Sequence, residues 1–259
     1  MLKIADCNDA NDIKAFLGNG IIPLRICSYM TAYGFDKDFV KFWISRCDDN
    51  NEINGVIALF EDSLLLYINN QTEASEIVSF ISMLQFDTLS CEKETAQICG
   101  FNAYEEKQGF IFEGDTEECS TDDIDEDIIK NAYQLICESI PGSFTNSKNA
   151  YLSFLSDYTY RKRRNLARGK CIKENNSLVS CAFTSAETNN EALLSGVATD
   201  KNLRKGGYGK RIVLSLVHEL LSENKTAYVI ALNDSAINFY EHIGFKKDKL
   251  IAYINRKDI

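Results

Sequence analysis

Residues 197–211 read VATDKNLRKGGYGKR. An apolar stretch ends at Ala198, a short polar segment follows, and the glycines at 206, 207 and 209 come just before an amphipathic pattern. Glycine leaves backbone N–H groups unshielded, and the first N–H groups of a helix have no partner within it. The pattern therefore predicts an anion site where the helix begins. Positive charge around it comes from Lys201, Arg204, Lys205, Lys210 and Arg211.

Two common nucleotide-binding loops do not fit these residues. A P-loop ending at Gly209-Lys210 requires glycine and a hydroxyl residue where the chain has Arg204 and Arg211. A Rossmann fingerprint starting at Gly207 requires a small residue where the chain has Ile212. Taken alone, the glycines are equally consistent with the simple end of a loop.

The residues around the loop predict a defined order of elements. We expect strands over 169–174, 177–184 and 192–198, a helix over about 207–221, a strand over 226–232, a short helix over 235–242 and a closing strand over 245–254. The first two strands form a hairpin across Asn175-Asn176.

Two motifs within this order resemble the GNAT superfamily of acetyl-CoA-dependent N-acetyltransferases. The first is R-x-x-G-x-G at Arg204, Gly207 and Gly209, and the second is N-x-x-A-x-x-F-Y-x-x-x-G-F from Asn233 to Phe245. The resemblance covers residues 127–259. It implies an α+β fold with a mixed central sheet and flanking helices, acetyl-CoA as co-substrate, and no metal.

The resemblance also assigns roles to residues. It implies that the backbone of Val197, Ala198 and Thr199 binds the pantetheine arm, in a V-shaped opening beside Ala198 where neighbouring strands separate. It implies that the pyrophosphate is bound by Arg204, Lys205, Gly206, Gly207, Tyr208, Gly209 and Lys210. Asn233 is expected to contact coenzyme or substrate, with helix capping as the competing role. Tyr240 is expected to give a proton to the departing sulfur, and a purely structural tyrosine is the alternative.

The sequence leaves the general base open. Glu187 and Glu191 flank the turn before the central strand and are the candidates, although glutamates at such positions are commonly just solvated. Neither a Ser-His-Asp nor a Cys-His arrangement is evident, which favours direct attack by the acceptor amine in a ternary complex.

The charge divides the chain into two unlike halves. Residues 1–127 carry a net charge of −18 and residues 128–259 a net charge of +8. Residues 113–127 contain nine carboxylates in fifteen positions, which predicts a solvated linker. We therefore expect a domain over 1–112, a linker over 113–126 and a catalytic domain over 127–259.

The N-terminal half reads as a degenerate copy of the same unit, giving two tandem GNAT-like domains. Strands are predicted over 52–60 and 63–68, then a helix capped by Thr72, then extended segments over 86–89 and 95–101. Residues 69–76 have no glycine and no basic residue, so this half is not expected to bind the coenzyme.

Composition limits the remaining choices. Nine cysteines without a C-x-x-C motif predict a reduced, cytoplasmic protein, and no apolar run is long enough to span a membrane. The basic run over 161–170 is expected to be solvated or paired within the chain, so no nucleic-acid partner is predicted.

The expected function is an N-acetyltransferase acting on a small-molecule or peptide amine. The alternative is a coenzyme A-binding sensor or scaffold with little turnover. The sequence does not predict the oligomeric state.

Overall fold

The computed structural model describes residues 2–49, 51–69, 72–116, 118–140 and 144–259. The chain forms two compact units. Unit 1 comprises Met1–Phe110, Ala231–Ile237 and Lys247–Ile259, and unit 2 comprises Ile111–Ile230 and Asn238–Lys246. The C-terminal residues from Lys247 therefore lie in unit 1, whereas the sequence-based boundaries place all of 127–259 together. The sequence-based boundaries of the two GNAT-like copies, 1–112 and 127–259, therefore remain a prediction.

The first ten elements belong mainly to unit 1. They are β1 (Leu2–Ile4), α1 (Ala10–Leu17), α2 (Ile21–Tyr33), β2 (Val40–Arg46), β3 (Ile53–Phe60), β4 (Ser63–Ile68), α3 (Ala74–Met83), β5 (Thr88–Glu92), α4 (Lys93–Ile98) and β6 (Glu105–Phe112). The remaining ten are β7 (Asp122–Asp123), α5 (Ile129–Ser139), α6 (Lys148–Lys162), β8 (Gly169–Glu174), β9 (Ser177–Glu187), β10 (Glu191–Thr199), α7 (Tyr208–Ser222), β11 (Thr226–Ala231), α8 (Asp234–His242) and β12 (Phe245–Asn255).

Unit 1 is built on a mixed sheet with the strand order β1-β2-β3-β4-β5-β12-β6. The closing strand β12 pairs antiparallel with β5, with Ile251 opposite Glu92. The core on the α3 side includes Leu64, Leu66, Ile77 and Ile81, all fully buried. Aliphatic residues at alternate positions of β4 face this core, as the two-residue period of a strand requires.

Two predictions in unit 1 are wrong. Residues 95–101 were expected to be extended, but they begin within helix α4; short apolar runs do not separate strand from helix by periodicity. Thr72 was expected to cap α3, but its hydroxyl donates to the backbone carbonyls of Asn54 and Asn69, and the residue at the cap position is Glu73.

Unit 2 follows the predicted order of elements closely. Its sheet runs β11-β10-β9-β8-β7. Asn175 and Asn176 both have positive φ, 48° and 62°, as a two-residue hairpin turn requires. Helix α7 buries Ile212, Val213 and neighbouring apolar residues against the sheet. Its first turn follows the loop that leaves β10. The mixed α/β architecture expected from the sequence is confirmed.

The acidic segment over 113–126 is held against unit 2. The Thr116 hydroxyl lies 3.2 Å from Nδ1 of His218, and the Thr121 hydroxyl lies 2.6 Å from that of Ser215, both on α7. Asp122 and Asp123 pair with β8, and Asp123 accepts from Lys170 at 2.7 Å. Glu117 lies outside the described residues. Basic partners distant in sequence therefore order a segment that its own composition cannot order.

Among the residues described, no helix combines the length and apolar character that a membrane crossing requires.

Candidate functional site

The ladder between β10 and β11 stops partway along both strands. The two strands pair in parallel from Glu191–Thr226 to Leu194–Val229. Strand β10 then continues to Thr199 and β11 to Ala231 without further pairing between them. Pairing between the two strands therefore ends before Ala198, as the predicted opening requires. The backbone groups of residues 195–199 on the β11 side therefore have no strand partner. A ligand that carries hydrogen-bond donors and acceptors can bind along this edge of β10.

A bulge at Gly196 turns β10 at the point where the strands separate. On the β9 side, Ser195 lies opposite Phe183 and Ala198 lies opposite Cys181, so the register shifts between them. Gly196 has a φ of 57°, which glycine adopts at no steric cost. A Cβ at this position would lie 2.9 Å from Cδ1 of Ile136 on α5. Any other residue would have to adopt this left-handed conformation and displace the Ile136 side chain, and the bulge sets the direction of Val197 to Thr199.

We expect Gly196→Ala to destabilise the protein by about 1–3 kcal/mol. The alanine backbone must adopt a left-handed conformation, and its methyl group must displace Ile136. Urea unfolding measures this change. Gly209→Ala is the matched control, since its Cβ would meet nothing closer than 3.5 Å. Equal unfolding free energies for the two variants would contradict this account of the bulge.

The first turn of α7 is uncapped. Gly207 occupies the cap position with a φ of 81°, and no described side chain accepts a hydrogen bond from the turn. A Cβ on Gly207 would meet nothing within 4 Å, so space beside it is open. Unpaired N–H groups at a helix N-terminus next to open space suit an anion. The residues from Gly207 to Lys210 thus fit a pyrophosphate group, whereas the N–H of Gly206 donates to the carbonyl of Leu203 at 3.3 Å.

The basic residues of the loop add an unneutralised charge. Lys201, Arg204, Lys205, Lys210 and Arg211 make no ion pair with any residue that the structure describes. Arg204 donates to the carbonyl of Ser139 at 3.0 Å, which ties the loop to the end of α5. Tyr208 donates to the Glu174 carboxylate. The Tyr208 hydroxyl is therefore engaged by Glu174, away from the first turn of α7. The backbone of Tyr208 is part of that turn.

Tyr240 is a buried residue on α8. Its ring packs edge-on against Phe239 and Phe245, with centroid distances of 5.1 and 5.4 Å. Burial raises the pKa of Tyr240 well above its usual value. The hydroxyl therefore keeps its proton at neutral pH and can act as a donor, which is compatible with the predicted role.

Asn233 caps helix α8. Its Oδ1 accepts a hydrogen bond from the backbone N–H of Ala236 at 3.0 Å. The capping role that the sequence left open is therefore present. A coenzyme contact by Asn233 remains a prediction.

Glu187 is bound on both carboxylate oxygens and is only 1% exposed. Arg168 donates to both oxygens at 3.0 Å, Lys225 donates to Oε2 at 3.0 Å, and Thr184 donates to Oε1 at 2.6 Å. A general base needs an oxygen free to receive a proton from substrate. These contacts are those of a structural carboxylate.

The same cations bind further acids. Arg168 also donates to Glu219 at 2.6 Å and to Glu223 at 2.7 Å. Hydrogen bonding to Arg168 lowers the pKa of Glu223 to about 2, so this partner stays ionised at neutral pH.

Neither candidate base lies at the opening. Glu191 begins β10 opposite Thr226, and Glu187 lies near Ala192 on the neighbouring strand. With a rise of about 3.3 Å per residue, Val197 is roughly 20 Å along the strand from Glu191. The contacts of Glu187 therefore disfavour it as the general base, and Glu191 lies at the paired end of the strand; both assignments remain predictions.

The basic run over 161–170 is largely paired within unit 2. Arg161 binds Asp157 and the carbonyl of Ser185, and Arg163 lies 3.6 Å from Glu126. Arg164 stacks on Tyr160 with 3.7 Å between its guanidinium and the ring centroid. These contacts agree with the expected role within the chain.

Unit 1 has a comparable interruption between β4 and β5. Strands β4 and β5 pair in parallel only from Ser63–Thr88 to Leu65–Ser90, although β4 continues to Ile68. Helix α3 then begins after Glu73 and has Glu76 in its first turn; Asn70 and Gln71 lie outside the described residues. Carboxylates at this helix N-terminus disfavour a phosphate.

Residues that sequence reasoning missed are the hydroxyl groups behind the opening. Ser180 on β9 is fully buried and donates to the carbonyl of Ala198 at 2.9 Å. Ser139 on α5 donates to the carbonyl of Thr199 at 3.2 Å. A serine between the apolar residues Val179 and Cys181 was the available signal, because buried polar groups require partners.

Comparison with known proteins agrees with this geometry. Residues 172–254 match the model of the family described as FR47-like protein. No curated protein sequence matches the chain.

Several solved structures with a fold similar to this chain are described as GNAT proteins. An acetyltransferase of the GNAT family from Colwellia psychrerythraea aligns with a TM-score of 0.64 over 98% of each chain at 13% identity. A tandem GNAT protein from the clavulanic acid biosynthesis pathway aligns with a TM-score of 0.64 over 99% of this chain and 98% of that one at 11% identity. A GCN5-related N-acetyltransferase from Sphaerobacter thermophilus aligns with a TM-score of 0.65 over 99% and 95% at 11% identity. The chain has the GNAT fold, and the likeness extends through its N-terminal half.

Proposed function

We propose that the protein is an N-acetyltransferase that moves an acetyl group from acetyl-CoA to an amine of a small molecule or peptide. The observation that carries the proposal is the conjunction in unit 2 of an interrupted ladder and an uncapped helix. Strand pairing ends at Leu194–Val229, and the loop from the same strand leads into the first turn of α7. The free strand edge suits an amide-containing arm, and the helix N-terminus suits a pyrophosphate.

The positions of the strand edge and the helix N-terminus suggest which part of the coenzyme each would bind. The backbone of Val197 to Thr199 would bind the pantetheine arm. The amides from Gly207 to Lys210 would bind the pyrophosphate, with Arg204 and Lys205 adding positive charge.

The transfer itself is a direct displacement. A neutral amine attacks the thioester carbonyl, the new C–N bond forms, the C–S bond breaks, and the amine proton passes to solvent or a base. Tyr240 would donate its proton towards the departing sulfur. Backbone N–H groups near Val197 would stabilise the negative charge on the carbonyl oxygen.

One observation favours the second candidate, a coenzyme A-binding sensor or scaffold. Glu187 is fully engaged in ion pairs, and Glu191 lies at the far end of β10. If neither glutamate acts as the base, turnover depends on amines that reach the site already neutral or on another acceptor of the proton. The sensor retains the coenzyme site and lacks the reaction.

Thiol release measured with a panel of primary amines separates the two functions. The panel contains polyamines, aminoglycosides, amino acids and peptides with a free N-terminus. Acetyl-CoA consumption that depends on one amine class supports the enzyme. Tight acetyl-CoA binding with no consumption above the rate without amine would support the sensor instead. We place this activity in a reducing, cytoplasmic setting because none of the nine cysteines forms a disulfide in the part of the chain that the structure describes.

A further inference from the structure

A chain of hydroxyl groups lies behind the open end of β10. The Ser180 hydroxyl donates to the carbonyl of Ala198 at 2.9 Å, and its oxygen lies 2.9 Å from the Thr199 hydroxyl. A hydroxyl group carries one proton, and the Ser180 proton is committed to the carbonyl. The proton between the two hydroxyls must therefore come from Thr199, which leaves the Thr199 oxygen able only to accept.

This series of hydroxyl groups also lies next to the proposed anion site. The Thr199 Oγ1 lies 3.5 Å from the position that a Cβ on Gly209 would occupy, in the first turn of α7. On the other side, Ser139 donates to the Thr199 carbonyl, and Arg204 donates to the Ser139 carbonyl at 3.0 Å. The end of β10 is thus tied to β9, to α5 and to the phosphate loop.

The strand end depends on these contacts because it has lost one neighbour. Residues 195–199 have no ladder partner on β11, so β9 is the only strand that pairs with them among the described residues. The bulge at Gly196 also removes regular pairing between Ser195 and Ala198. In a fully paired strand one extra hydroxyl contact would matter little. At this end, it is one of few contacts that set which way the Ala198 and Val197 peptide groups face.

We infer that Ser180 is a positioning residue for coenzyme binding, and that it orients the strand edge that receives the pantetheine arm. This inference rests on the proposed function. Ser180 is fully buried and so would not touch the ligand itself. It acts through Ala198 and Thr199.

The test compares Ser180→Ala with Ser185→Ala. Both residues are on β9, and both hydroxyls donate to a carbonyl of β10, Ser185 to that of Leu193 at 3.4 Å. Ser185 lies where β10 is still paired on both sides, so its loss should not change the open edge. Calorimetric titration with acetyl-CoA should show about 5–10-fold weaker binding for Ser180→Ala, and less than about 2-fold change for Ser185→Ala.

A second ligand separates positioning from general loosening. ADP carries the pyrophosphate but not the arm, so its competition with acetyl-CoA should report the same ADP affinity in Ser180→Ala as in the unaltered protein. Ser180→Thr keeps the hydroxyl and should restore binding to within about 2-fold. If Ser180→Ala does not fold, Ser139→Ala removes the donor to Thr199 from the helix side and should weaken acetyl-CoA binding about 3-fold.

The outcomes are distinct. Equal acetyl-CoA affinities for Ser180→Ala and Ser185→Ala, or equal losses for acetyl-CoA and ADP, would overturn the inference while the proposed function stands. Failure of the unaltered protein to bind acetyl-CoA would overturn both, and the proposed function first.

Discussion

Tyr240→Phe is expected to lower kcat by about 10²–10³-fold while changing the Kd for acetyl-CoA by less than about 2-fold. The phenylalanine ring keeps the edge contacts with Phe239 and Phe245, so packing is preserved. The hydroxyl group is removed, and with it the proposed proton donor for the departing sulfur. Initial rates of thiol release with the preferred amine, together with calorimetric titration of acetyl-CoA, measure the two quantities separately.

The matched control is Tyr158→Phe. Tyr158 is another buried tyrosine of unit 2, and its hydroxyl has no hydrogen-bond partner among the described residues. Removing it should leave kcat within about 2-fold, because no contact is lost. Equal activity of Tyr240→Phe and Tyr158→Phe would assign Tyr240 to packing alone.

Glu187→Gln should lower the free energy of unfolding by about 3 kcal/mol, because it leaves two buried cations with one carboxylate fewer. The glutamine amide would also place donors against Arg168 and Lys225, which are donors themselves. Urea unfolding followed by circular dichroism measures the loss. The folded fraction should retain its affinity for acetyl-CoA, since Glu187 lies at the paired end of β10.

Glu219→Gln is the control for this change. Glu219 binds the same guanidinium but is 34% exposed, so its loss should cost at most about 1 kcal/mol. A Glu187→Gln protein as stable as the unaltered one, yet reduced in kcat by about 10²-fold or more, would make Glu187 the general base after all.

The C-terminal motifs predicted the fold of unit 2 because their residues act locally. The glycines before α7 and the Asn175-Asn176 turn constrain neighbouring backbone, and the structure reproduces both; the predicted strands are present, although β9 runs three residues further, to Glu187. The V-shaped opening could be expected from the resemblance, and pairing between β10 and β11 ends before Ala198, as that opening requires.

The remaining features depend on partners distant in sequence. Strand β12 was expected to close the C-terminal domain, and nothing in its own residues shows that it pairs with β5. The acidic segment reads as a solvated linker until Lys170 and α7 are known to lie beside it. The burial of Glu187 follows from Arg168 and Lys225, nineteen and thirty-eight residues away.

The central claim is that backbone amides at the start of α7 bind the pyrophosphate of acetyl-CoA. A crystal structure of the protein with acetyl-CoA tests it most directly. The account predicts the two phosphates within hydrogen-bond distance of the amides of Gly207, Gly209 and Lys210, with the pantetheine arm along Val197 and Ala198. Phosphates bound elsewhere on the protein, or an arm that does not enter the opening between β10 and β11, would contradict it.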